Sequence, residues 1–233
     1  FRNFKHFYLF YVCRELKKEF PDLLSYTRFI ECMPRVAIPL LLFLKLGLMG
    51  ECTGITFIDS TRIPVCENKR QSRNRVFKGY AQKGKSTMGW YYGFKLHLLC
   101  NERGELLNFA LTQANVDDRN PKVFNDLMKN LFGKLYADKG YISQSLFASL
   151  FDRGVHIVTG IRTNMKNRLM DVHDKIMLRK RSIIETINDM LKNVAQIVHT
   201  RHRSISNFIV NLLAGIAAYA FYDTKPSINM EFE

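Results

Sequence analysis

Along this chain the apolar positions switch between a strand-like period of two and a helix-like period of about 3.6, and each switch marks an element. Thr53-Gly-Ile-Thr-Phe-Ile-Asp59 is β-branched and aromatic, with Gly54 behind it and Ser60 and Thr61 ahead, which predicts a strand ending at Asp59. A basic loop follows. Thr87 to Cys100 predicts a second strand, Asn101-Glu-Arg-Gly104 a tight turn, and Leu106 to Thr112 a third strand, so that the last two form an antiparallel hairpin. Asn120-Pro121 predicts a helix start, with Asn as cap and Pro at the first helical position, running to about Leu131. Lys134-Leu-Tyr-Ala-Asp138 is a short apolar run that again ends in an aspartate, before a turn at Gly140. Ser143 opens a helix that stops at Gly154, and Val155-His-Ile-Val-Thr159 predicts a fifth strand.

A further helix runs through Arg181-Ser-Ile-Ile-Glu185-Thr-Ile-Asn-Asp-Met-Leu-Lys192. At about 100° per residue, Arg181, Glu185 and Lys192 share one stripe, while Ile183, Ile187, Met190, Leu191, Val194 and Ile197 share the opposite one. Near the start, Phe4, Phe7, Tyr8 and Tyr11 follow helical spacing, and Pro21, Pro34 and Pro39 break the helices that come next. Leu40 to Met49 is too short to cross a bilayer and carries Lys45, and Asn207 to Phe221 contains Asn211, so no membrane partner is expected. The second of these segments predicts a buried C-terminal helix. No signal peptide is evident, and cysteine usage leads to the expectation of a cytoplasmic location.

Charge sharpens this picture. The net charge is +14 and the isoelectric point near 9.7, which favours a polyanionic partner. Lys69, Arg70, Arg73, Arg75, Lys78, Lys83 and Lys85 cluster with no acid among them, and a second cluster spans Arg162 to Arg181. Tyr80, Trp90 and Tyr91 lie nearby and have the chemistry to stack on an unpaired base, although Trp90 is expected to pack into a strand core. His97 alternates with apolar residues and reads as packed or hydrogen-bonded, while Asp117 and Asp118 read as turn or cap residues. Five cysteines without CxxC spacing favour neither a zinc site nor a disulfide framework.

Taken singly, Asp59 and Asp138 suit a turn or a helix cap, and an Arg/Glu pair four residues apart suits a solvated face. Two strand-end aspartates followed by a helical glutamate form a more specific pattern, since carboxylates at strand ends project where chemistry tends to sit in open α/β sheets. The predicted order is three strands, helix, strand, helix, strand, helix. It matches an α/β, ribonuclease-H-like fold: a mixed five-stranded sheet flanked by helices, with an N-terminal helical segment.

Phe57-Ile-Asp59-Ser-Thr, Gly93-Phe-Lys-Leu-His97, Asn115-Val-Asp-Asp-Arg119, Ala137-Asp138-Lys-Gly-Tyr141 and the Arg181…Glu185…Lys192 helix together resemble the DDE transposases of bacterial insertion sequences, in particular the group numbered nine-eighty-two. The resemblance implies that Asp59, Asp138 and Glu185 bind two Mg²⁺ ions, with Mn²⁺ able to substitute and Asp59 as the bridge. It implies that Arg181 and Lys192 face DNA phosphates, as the two basic clusters would. Relatives carry a tyrosine three residues before the arginine, where this chain has Leu178. The expected activity is strand cleavage at element ends and strand transfer into target DNA, by an oligomer assembled on DNA in the bacterial nucleoid. A nuclease or resolvase on the same fold, or a silent DNA-binding relative, is the alternative. Residues 1–50 are expected to be the remnant of an end-recognition region whose earlier part precedes Phe1, and residues 51–225 the catalytic domain.

Overall fold

The computed structural model describes residues 3–161, 169–198 and 202–229. Its strands are β1 (Ile55–Cys66), β2 (Gln82–Ser86), β3 (Gly89–Cys100), β4 (Leu106–Gln113), β5 (Gly133–Ala137) and β6 (Val155–Thr159). They form one sheet in the order β2-β3-β1-β5-β6, with β4 also paired to β3. β2 takes Gly89–Gly93 of β3 and β4 takes Phe94–Cys100, so the two share one edge of the long strand. β1 is antiparallel to β3 and parallel to β5, which is parallel to β6. This is the ribonuclease-H-like arrangement, with six strands rather than five: β2, inside the basic loop, is the addition.

Each face of the sheet carries its own apolar layer. Phe57, Ile63, Val65, Phe94, Leu96 and Leu98 pack against α7 (Ser182–Asn193) and α8 (Ile205–Ala220). Ile58 and Leu99, of opposite parity, pack against α4 (Pro121–Leu127) and α5 (Gln144–Phe151). α8 is the predicted buried C-terminal helix, and α3 (Ala37–Phe43) packs on it. Two further helices are α1 (Phe4–Phe7), which continues as a wider turn through Val12, and α2 (Tyr26–Cys32). No helix among the described residues is long and apolar enough to cross a membrane.

Three boundaries differ from the pattern-based expectation. β1 does not end at Asp59 but runs on to Cys66. Thr61, Ile63 and Val65 continue its buried alternation, and Pro64 is tolerated because β5 has already stopped, leaving that edge of β1 without a ladder to break. The helix after Pro121 closes at Leu127, before Leu131. The Glu185 helix ends at Asn193, so Val194 is exposed, and a separate helix, α6 (Val172–Lys180), precedes it.

Candidate active site

Strand pairing brings the two aspartates together. Ile55, Thr56 and Phe57 lie opposite Lys134, Leu135 and Tyr136, and the same register carried forward sets Asp59 beside Asp138. Adjacent strands lie about 4.8 Å apart, so these positions are lateral neighbours just past the end of β5. Gly133 sets this register: its φ is +83°, and a Cβ there would lie 2.3 Å from the Gly54 carbonyl oxygen. The Phe57 and Tyr136 rings stack at 5.5 Å behind the pair. Asp138 turns its carboxylate onto the Lys139 backbone N–H at 2.7 Å and so opens the following turn.

The third carboxylate arrives on α7. α6 is pinned to β5 because Asp174 accepts from Lys134 Nζ at 2.7 Å and from the Tyr136 hydroxyl at 2.9 Å. Arg181 links α6 to α7. Its guanidinium donates to Glu185 Oε1 at 2.6 Å and lies 3.8 Å from Asp59 Oδ1, so it sits between two carboxylates, only 18% exposed. Asn188 donates from Nδ2 to Asp59 Oδ2 at 2.9 Å. Its own Oδ1 is buried without a hydrogen-bond partner.

Asp59 is where these charges meet. Burial pushes its carboxyl up to about 6; Arg181 and the Ser60 backbone N–H pull the other way, while Glu185 and Asp138 add to the rise. Lys192, half-buried on α7, lies within electrostatic reach of Asp59, Asp189 and Arg62, and burial lowers its ammonium pKa. Tyr141, in the turn after Asp138, is buried, and burial reinforced by Asp118 and Asp59 holds its phenol far above the ordinary range.

No group of three His, Cys, Asp or Glu side chains among the described residues is drawn in tightly enough to hold a metal ion. The donor chemistry nevertheless fits a hard divalent cation: two adjacent aspartates and a glutamate within reach of one of them, with a guanidinium standing among them as counter-charge.

The remaining expected residues fall in two places. Lys69, Arg70, Arg73, Arg75, Lys78, Lys83 and Lys85 are all exposed, on the loop and β2 beyond the far end of β1, anchored by the buried Phe77 ring against Phe94 and Phe208. Lys69 is paired with Glu67 at 3.1 Å. Of the second cluster, residues 162–168 lie outside those described. Leu178 packs against the main core. His97 is buried on the opposite face, bonded to Thr112 at 2.9 Å, and Asp118 pairs with Lys95 at 2.8 Å. Tyr91 is buried, but Trp90, expected in the core, is 54% exposed. Asn188 escaped the sequence reading. Its signal was a polar residue on the apolar stripe of Ile184, Ile187 and Leu191.

The protein-family profile described as "Transposase DDE domain" matches residues 49–205. No curated protein sequence matches the chain. Among solved structures, a piggyBac transposase synaptic complex with hairpin DNA aligns at 11% identity and a TM-score of 0.49. The alignment covers 73% of this chain and 47% of that one, so this chain spans about half the length of that protein.

Proposed function

The chain belongs to the DDE transposase domain family, and on that premise we propose that Asp59, Asp138 and Glu185 are its catalytic carboxylates, in a metal-dependent transposase of a bacterial insertion sequence of the nine-eighty-two group. The observation that carries this reading is the β1–β5 register, which makes neighbours of two aspartates 79 positions apart. The Arg181–Glu185 pair and the Asn188–Asp59 bond, both from α7, support it.

In this reading Asp59, Asp138 and Glu185 would hold two Mg²⁺ ions, which would supply an activated nucleophile and stabilise the leaving oxygen of the scissile phosphate. The protein's own side chains do the rest. Asn188 fixes the rotamer of Asp59 through Oδ2, so that Oδ1 is left on the side of Arg181. Arg181 neutralises Asp59 and Glu185 until DNA enters, then donates to a non-bridging phosphate oxygen beside Lys192. Lys69, Arg70, Arg73, Arg75, Lys78, Lys83 and Lys85 hold duplex backbone further out, at element ends and target. Residues 1–50 serve end recognition, residues 51–225 catalysis, and the working unit is an oligomer assembled on DNA.

The test is strand cleavage and joining in Mg²⁺ by wild type and Asp138→Ala. The variant should fold and bind DNA but not cut it; comparable cleavage by the variant overturns the assignment. Joining of a cut end to target DNA by the wild type separates a transposase from a nuclease, a resolvase or a silent DNA-binding relative.

A further inference from the structure

Trp90 is the only tryptophan in the chain, and more than half of its surface is exposed. It sits next to the turn of the β2–β3 hairpin, paired with Lys85 across the strands. The ammonium groups of Lys83 and Lys85 stand 5.1 and 5.9 Å from the centre of its ring. The backbone beneath the indole is fixed: Asn68 Nδ2 donates to the Trp90 main-chain carbonyl at 2.6 Å, which also ties down the 3₁₀ segment carrying Lys69, Arg70 and Arg73. Across the strands, Gly84 lies so close to Ala114 that a Cβ there would come within 2.3 Å of its carbonyl oxygen, which holds β2 in place.

Strand parity decides where this ring points. Leu98 lies opposite Asp59, and Trp90 has the same parity in β3, so indole and carboxylate share one face of the sheet. Along that face Tyr92, Phe94, Leu96 and Leu98 belong to the core that α7 and α8 cover. Trp90 lies where that cover ends. The eight residue steps from Leu98 to Trp90 span about 26 Å of strand, roughly the rise of eight stacked nucleotides. The direction is that of the overhang of β1 beyond β5, away from the strand-end aspartates and past the far edge of the helical cover.

We propose that the β2–β3 hairpin is a base-stacking platform, on which Trp90 takes one unpaired DNA base while Lys83 and Lys85 hold the phosphates on either side. A lysine over an exposed ring is a weaker partner than a stacked base, so the two ammonium groups give up the ring to the base and turn to the backbone. The platform lies about 26 Å of strand from the carboxylates, on their side of the sheet and beyond the helical cover, where several nucleotides of an opened or frayed DNA end would reach it. This rests on the reading above only in taking DNA as the ligand.

A lone tryptophan makes the test direct. The full chain is titrated without divalent metal, at low salt, with a blunt duplex and with the same duplex carrying a short unpaired 3′ tail, while indole emission and binding are followed. The tailed DNA should quench the emission more strongly. Trp90→Ala should weaken tailed-DNA binding on the order of 5- to 100-fold and leave blunt-duplex binding nearly unchanged, and Trp90→Phe should retain most of the preference. Equal quenching by both DNAs, or a Trp90→Ala protein that keeps the preference, overturns the platform. If the wild type still cuts DNA and Asp138→Ala does not, that failure leaves the transposase reading standing. A wild type that neither binds nor cuts any of these DNAs overturns both.

Discussion

Replacing Asn188 with leucine should separate stability from catalysis. The amide donates to Asp59 Oδ2 at 2.9 Å, and the residue is only 4% exposed. A hydrogen bond to a charged group contributes about 1.5–3 kcal/mol, and leucine forfeits it. Against that stands Asn188 Oδ1, buried without a partner, whose desolvation costs about 1–3 kcal/mol and is relieved when the amide goes. Leucine also adds apolar surface beside Ile184, Ile187 and Leu191. These effects nearly cancel, leaving a net change of about 1 kcal/mol or less, which in a domain of this size moves Tm by roughly 2–4 °C. Catalysis has no such compensation. Asp59 loses the donor that fixes its rotamer, and outer-shell changes of this kind typically cost about 10- to 100-fold in metal affinity or activity. Thermal melts and initial cleavage rates across a Mg²⁺ titration measure the two effects separately. Cleavage within about twofold of wild type would refute the role of Asn188, since that is well below the effect expected of an orienting contact.

Burial pulls the His97 imidazole down to about 4, Asp118 opposing and Lys95 assisting, so the ring is neutral at pH 7 despite Asp118 4.0 Å away. A folded pKa below the unfolded 6.5 means the unfolded chain binds the extra proton, so stability is full above about 6.5 and falls by about 3 kcal/mol toward pH 4. Urea melts of His97→Gln should show a flatter slope in that window; an unchanged slope refutes the claim. Arg181→Gln removes the cation between Asp59 and Glu185 and should raise Mn²⁺ affinity of the DNA-free protein about tenfold, read by paramagnetic resonance, whereas equal or weaker affinity would mean the guanidinium does not compete. Neutralising Arg73, Arg75 and Lys78 together should make the salt dependence of DNA binding shallower by about 0.9 per lost phosphate contact on a log–log plot, and an unchanged slope would mean the segment points away from DNA.

Much of this protein is legible before folding is considered. The β-branched run before Asp59, the apolar run before Asp138 and the helical stripe around Glu185 each declare their own element, because period-two and period-3.6 patterns are local properties of a chain. The basic loop likewise declares its sign. What the chain does not state locally is which elements meet. Whether β1 ends at Asp59 depended on where β5, some seventy residues away in sequence, stops and frees the edge beside Pro64. The Arg181–Glu185 pair was readable as a helical neighbour contact, but its turn inward to Asp59 required α6 to be pinned to β5 by Asp174. Asn188 reads as a polar interruption of an apolar stripe until α7 docks, when a contact spanning 129 positions makes it the partner of Asp59. Trp90 carries a strand-core pattern yet stands in solvent, because the helical layer that buries Phe94 and Leu96 ends before reaching it. Periodicity assigns a side chain to a face; only packing between distant elements decides what, if anything, covers that face.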